Sequence, residues 1–325
     1  MSKDIRIKKG LDIKLVGEAT LTTNKLPVKG MFALKPQDFH GIIPKLIAKE
    51  GAEVKAGESI FYSKSDDRIL FPSPVSGKVT EIIRGAKRKI ISIKITADGK
   101  QSFKDFGIKD ADKMSAEEVK NHLLNSGCWP FIKQRPFDVI ANPSQTPKAI
   151  FISAYASSPL AANYDYTLAG KEQELQAALT AISKLTTGSV HVSVGKDSNS
   201  PFSDLKNIQL HSVSGPHPVG NVSTQISQID PLNKGEVVWV INPHDLLVIG
   251  ELLLTGNFNF SRTLALTGSQ FENPSYVSVV AGASISDVVA KNINTDNTRI
   301  ISGNVLSGTQ VSKDDFLGYY DNQIT

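Results

Sequence analysis

Over the first hundred residues, apolar positions alternate with polar ones in short runs such as Lys89-Ile-Ile-Ser-Ile-Lys-Ile95, and no helical stripe of apolar residues interrupts them. Two turn signals, Gly51-Ala-Glu-Val-Lys-Ala-Gly57 and Ser73-Pro-Val-Ser-Gly77, each precede an alternating run. Glycines there permit the sharp bends of a small flattened β-sandwich, and the alternation selects the buried face. The pattern predicts a barrel-sandwich-hybrid β domain over 1–100, of the kind that carries biotinyl or lipoyl groups.

A different period follows. Ser115 with Glu118 three residues later is a capping-box signal for a short helix through Val119, Leu123 and Leu124, ending at Gly127. From Pro147 the pattern becomes β-α-β. Strands are expected at 149–153, 188–194, 208–213 and 237–241. A helical face runs through Leu168, Leu175, Leu179, Ile182 and Leu185, and a second helix opens with Asn242 as N-cap and Pro243 at its first position. Strands alternating with helices predict a mostly parallel, Rossmann-like α/β domain over 101–255, including the linker helix. Beyond it, short strands at 276–280, 282–287 and 298–306 predict a small β-grasp-like domain of the soluble-ligand-binding type over 256–325. The fold class expected is therefore α/β multidomain, and 325 residues exceed what one core usually serves.

Charge divides the chain. Residues 1–100 carry 20 Lys and Arg against 11 Asp and Glu, whereas the remainder carries 16 against 21. A basic module can face anionic lipid, an acidic subunit or nucleic acid. Its densest cluster, Arg84-Gly-Ala-Lys-Arg-Lys89, sits on an expected hairpin turn without aromatic residues for base stacking, so no nucleic-acid partner is expected. The lone Cys128 precludes an intramolecular disulfide and any all-cysteine iron–sulfur or zinc site within the chain. The N-terminus lacks an apolar signal core, and the apolar stretch 237–254 is too interrupted by polar residues to cross a bilayer.

Candidate chemistry is sparse. Lys64 lies where a carrier domain would attach its prosthetic group, but its setting, Tyr62-Ser-Lys-Ser-Asp-Asp67, lacks the usual flanking triplet. No Gly-x-Gly occurs, no Gly-Lys pair continues into Ser or Thr, and no Gly-x-Ser-x-Gly elbow is present. A nucleotide or flavin held by a glycine-rich loop is thus disfavoured. The loop 153–160 follows the first strand of the α/β pattern, where open sheets bind ligands. The loop Ser212-Val-Ser-Gly-Pro-His-Pro-Val-Gly-Asn221 encloses His217 between prolines and glycines that can aim it. His211 and His217 do not have zinc-ligand spacing, and a histidine satisfied by its own loop explains His217 as well as a ligand would.

Several segments together resemble the A-subunit family of the sodium-translocating NADH:quinone reductase. They are Lys9-Gly-Leu-Asp-Ile13, Pro72-Ser-Pro-Val-Ser-Gly-Lys-Val79, Gly127-Cys-Trp-Pro-Phe-Ile-Lys-Gln-Arg-Pro-Phe137, Pro147-Lys-Ala-Ile-Phe-Ile-Ser-Ala-Tyr-Ala-Ser-Ser-Pro-Leu160 and Gly215-Pro-His-Pro-Val-Gly220. That family is related to the flavin subunit of complex I and to the C subunit of an ion-pumping ferredoxin complex, without their flavin loop and cluster cysteines. The resemblance implies a peripheral subunit on the cytoplasmic face of a bacterial membrane, enzymatic only within its complex, with other subunits and quinone as partners. No catalytic or metal residue and no tightly bound cofactor is expected, with ubiquinone or menaquinone as ligand. Tyr155, Ser158 and His217 are the expected quinone-binding donors, in a cleft between the loops 153–160 and 214–220. It also implies a C-terminal helical part beyond this chain. The alternatives are a carrier modified at Lys64 and a structural adaptor that never meets quinone.

Overall fold

The computed structural model describes residues 2–290, 292–293 and 297–325. They form two compact units, one of residues 2–12, 105–158 and 163–258, the other of residues 13–104, 159–162 and the described residues from 259 to 325.

The first unit is built on a seven-stranded sheet: β1 (Asp4–Arg6), β2 (Lys133–Arg135), β3 (Val139–Ile140), β4 (Ile150–Ser153), β5 (Val190–Gly195), β6 (Gln209–Ser214) and β7 (Val238–Val240). Their spatial order is β1-β6-β5-β4-β7-β2-β3. The five strands from β1 to β7 run parallel, and β2 and β3 are antiparallel at one edge. Helices α1 (Ala116–Ser126), α2 (Tyr164–Thr167), α3 (Glu172–Ile182), α4 (Val222–Ile229) and α5 (Pro243–Thr255) make the connections. One face buries Ile5, Phe151, Val213, Val219, Ile226 and Val238 together.

The helix-start signals act as their chemistry dictates. Ser115 Oγ accepts from Glu118 N–H while the Glu118 carboxylate accepts from Ser115 N–H, and Gly127 closes α1 in the left-handed region. The Asn242 side chain accepts from His244 N–H at 2.9 Å, opening α5 with Pro243 behind it. The single stripe expected from Leu168 to Leu185 is instead divided into α2, α3 and a terminal 3-10 turn. Gly170, at φ +75°, breaks the helix between the first two. Helices α3 and α5 cross at Gly250, where an added Cβ would lie 1.9 Å from Glu174 O. The segment Trp129–Phe131 is a core plug: Trp129 and Trp239 meet edge to face at 5.4 Å, and their indole N–H groups donate to Ala141 O and Gln134 Oε1. Cys128 beside it is fully buried, its thiol pushed up to about 12 chiefly by burial, and is chemically inert.

The second unit contains the β-sandwich. Strands Met31–Leu34, Ile90–Ala97, Gly77–Arg84 and Glu53–Val54 form one sheet, and Pro44–Leu46, Ser59–Ser63 and Asp66–Pro72 form the other. Phe32, Ile60, Phe71, Val79, Ile93 and Ile95 are buried in this unit, with Phe61 and Phe71 stacked at 4.4 Å. Gly77 bends into its strand at φ +154° against the partner backbone, where a Cβ would lie 2.0 Å from Thr96 O. Its neighbour Ser76 is buried and satisfied by donating to Asp98 Oδ1 and accepting from Ser102 N–H.

The same unit holds a six-stranded sheet in the order Thr309–Val311, Ile300–Ser302, Gln323–Ile324, Ser261–Leu266, Ser275–Val280 and Thr20–Lys25. Two expected strands are corrected here. Residues 282–287 turn into the helix Ile285–Val289, because Ile285, Val288 and Val289 recur at helical spacing behind Ser284 as N-cap. The run 298–306 is a strand only over Ile300–Ser302. Gly303 at φ +98° ends it, and the Asn304 side chain accepts from Leu306 and Ser307 N–H to form a turn.

Candidate functional site

The order of the parallel strands reverses between β4 and β7, because β4, β5 and β6 proceed one way and β7 lies on the other side of β4. In open sheets, the crevice at the carboxyl ends of such strands is where ligands bind. Three loops of the first unit leave that edge: 154–158 after β4, 196–198 after β5 and 215–221 after β6.

The first and third loops are stitched directly together. Ser157 Oγ accepts from Gly220 N–H at 2.8 Å and lies 3.0 Å from His217 Nδ1. Ser153 Oγ lies 2.9 Å from Gly220 O and accepts from Gln225 Nε2 at 2.8 Å. The approach is so close that a Cβ on Gly220 would sit 2.5 Å from Ser157 N, so glycine is required there. Asp12 and Leu11 hold the far side of the third loop: Asp12 Oδ1 accepts from His217 N–H at 2.9 Å, and Leu11 N–H donates to His217 O at 3.0 Å. The His217–Pro218 peptide is cis.

These contacts orient the His217 imidazole, with Nδ1 held against the Ser157 hydroxyl that also accepts from Gly220 N–H. Tyr155 is half-buried against the apolar core, its ring lying over Gly195, whose added Cβ would be 2.9 Å from Tyr155 Cδ2. Of the three residues expected from sequence, Tyr155 and His217 are thus brought to one seam. Ser158 Oγ has no hydrogen-bond partner among the described residues, and the hydroxyl that contacts His217 is that of Ser157, one position earlier.

Two polar pairs add to the site. Ser198 Oγ donates to Asp165 Oδ1 at 2.6 Å, and Asn242 Nδ2 donates to the Tyr164 hydroxyl at 3.2 Å, beside the end of β7. Asn242 was visible in the sequence only as a helix cap. That it also marks the reversal of strand order follows from strand positions that no local pattern encodes. Among the described residues, no group of three or more His, Cys, Asp or Glu side chains could hold a metal ion. No described helix is long and apolar enough to cross a membrane.

A histidine pair joins the neighbouring strands β5 and β6. His211 Nδ1 accepts from Lys3 N–H at 3.1 Å, which places its hydrogen on Nε2, from which it donates to His191 Nδ1 at 3.0 Å. Burial holds both imidazoles down to about 4, and each is therefore neutral at physiological pH. Lys64 occupies the tip between Ser59–Ser63 and Asp66–Pro72, its N–H donating to Ile43 O.

Three family models match the chain in order: the NqrA N-terminal barrel-sandwich hybrid domain over residues 5–98, the NqrA second alpha/beta domain over 114–258, and the NQRA C-terminal domain over 263–313. A protein of Histophilus somni (strain 2336), described as the A subunit of a Na(+)-translocating NADH-quinone reductase, is 35% identical over 324 residues, covering 99% of this chain and 73% of that protein. One of the same description from Neisseria meningitidis serogroup A is 35% identical over 325 residues, covering 99% and 72%. Among solved structures, a chain of the NAD+-reducing [NiFe]-hydrogenase in the air-oxidized state aligns over 56% of this chain and 41% of its own. Its 12% identity and TM-score of 0.39 are too low to define a shared fold.

Proposed function

The chain belongs to the NqrA family, the A subunits of the Na(+)-translocating NADH-quinone reductase, and from that premise we propose that it is a peripheral subunit of such a complex that contributes to quinone binding. In this reading it sits on the cytoplasmic face of the membrane, docks on the membrane subunits, holds no flavin or iron–sulfur centre of its own, and is enzymatic only within the assembly. We read its parts as the N-terminal barrel-sandwich domain of residues 1–100, a Rossmann-like domain to residue 255 and a β-grasp-like domain after it.

The observation that carries the quinone assignment is the seam between the loops after β4 and β6. A quinone head needs a flat apolar surface and one or two donors for its carbonyl oxygens. The half-buried Tyr155 ring offers the surface, and the imidazole of His217, oriented by Ser157, offers a hydrogen-bonding group. Asp12 fixes the backbone that carries it. The test is photolabelling with a quinone analogue, on the isolated chain and in the assembled complex, comparing the wild type with Tyr155→Ala and His217→Ala. Loss of label at this seam in the variants is expected. Unchanged labelling in both would move the quinone site elsewhere, and absence of label in the wild type would leave a structural adaptor.

A further inference from the structure

We propose that the hairpin joining Gly77–Arg84 to Ile90–Ala97 is a docking element for an anionic lipid surface. The proposal rests on the peripheral-subunit reading, and the two fail separately: co-purification with partner subunits tests that reading, and vesicle binding tests the hairpin.

The tip is a tight turn in which Lys89 N–H donates to Ala86 O at 3.2 Å and Gly85 N–H to Lys89 O at 2.8 Å. Its two central residues are Lys87, at φ 54° and ψ 29°, and Arg88, at φ 60°. Both are in the left-handed region that a type I′ turn demands and that Asn-Gly fills without strain. The chain instead places two long cations there. With Arg84 and Lys89, the six residues 84–89 carry four positive charges and no negative one. All four cationic side chains are exposed. None makes an ion pair among the described residues. Of the acids beside the hairpin base, Glu81 pairs with Lys94 at 2.9 Å and Glu50 accepts from Ile82 N–H.

The three atoms nearest to a Cβ on Gly85 belong to Ile91 and Lys89, both of the hairpin itself. Ile91 lies over Gly85 and is 37% exposed. An exposed knuckle with four cations in no ion pair among the described residues and an exposed isoleucine on its flank suits a plane of diffuse negative charge with an apolar layer beneath. A carboxylate-lined protein partner would call for fixed bidentate geometry, which three long side chains on a strained turn and one beside it do not offer. Base stacking on nucleic acid would need aromatic residues, and residues 84–91 contain none.

The experiment is co-sedimentation of the full chain with vesicles of phosphatidylcholine alone and of phosphatidylcholine mixed with phosphatidylglycerol. Each basic residue at such a surface strengthens partitioning roughly fivefold. The informative variant is Lys87→Asn with Arg88→Gly, because it removes two charges and supplies the turn's preferred residues, so that folding is preserved. We expect the wild type to bind only the anionic vesicles, and this variant to bind them about 25-fold more weakly, with Ile91→Ser weakening binding by a smaller factor. Lys55→Gln with Lys100→Gln, which removes equal charge near the opposite end of the same sheet, should leave binding within about twofold, since charges beyond a Debye length of the surface are screened. The proposal is overturned if the wild type ignores anionic vesicles, if both double variants weaken binding equally, or if an acidic partner subunit is captured through the hairpin while vesicles are not.

Discussion

At residue scale, the chain's histidines divide by what surrounds them. His217 sits half-exposed on a loop and is oriented by one hydroxyl, whereas His191 and His211 are buried and accept protons only at a cost. Both buried rings have folded-state pKa values near 4, below the 6.5 of an unfolded chain. The unfolded state therefore binds more protons below pH 6.5, so stability is full above that value and is lost as the pH falls toward 4. The slope reaches about 1.4 kcal/mol per pH unit for each histidine. Chemical denaturation at a series of pH values should show this loss, and His191→Asn with His211→Asn should flatten the profile between pH 6.5 and 4 even where it lowers stability at neutral pH. An equally steep profile in the double variant would assign the acid sensitivity to other groups. The contact that matters most for His217 was not legible in the sequence, because Ser157 and His217 are sixty residues apart and only the parallel pairing of β4, β5 and β6 brings their loops together.

At element scale, what was legible was what local chemistry decides. Ser115 and Glu118 form their capping box, Asn242 and Pro243 open α5, and the strands β4 to β7 fall within a residue or two of the apolar runs that announce them. The errors fell where two periods compete. Residues 282–287 alternate well enough for a strand, but Ile285, Val288 and Val289 also satisfy a helix, and burial on one side chose the helix. Gly250 shows packing overriding propensity. In mid-helix, alanine is ordinarily favoured over glycine by roughly 1 kcal/mol. Here the missing Cβ lets α5 touch the backbone of α3 at Glu174, and an added methyl would lie 1.9 Å from a carbonyl oxygen. Gly250→Ala is expected to destabilise by about 1–3 kcal/mol despite its better propensity, seen as a lowered denaturation midpoint with an unchanged slope. A stabilised variant would mean that the helices can separate without loss.

At the scale of the whole molecule, the sequence announced the sandwich, the parallel sheet and a β-rich end, but not how distant segments share a sheet. The strand Asp4–Arg6 pairs with β6 some two hundred residues away, and Thr20–Lys25 pairs with Ser275–Val280. Both pairings are long-range, and a run of three or six residues carries no sign of its partner. The same distinction bears on the carrier reading. A sandwich with an exposed lysine at its hairpin tip is the right shape for a swinging arm, and Lys64 is at that tip. Chemistry around it points the other way: Ser63 Oγ and Ser65 Oγ hydrogen-bond each other at 2.8 Å, and Arg68 clasps Asp66 at 2.7 Å, closing the turn with polar contacts in place of the flanking side chains a ligase reads. The chain purified from a host with active biotin and lipoate ligases should therefore show the intact mass of its 325 residues, with no flavin absorbance band. A mass increment mapping to Lys64 would restore the carrier, and a flavin band near-stoichiometric with protein would remove the reading of this chain as one without a redox centre of its own.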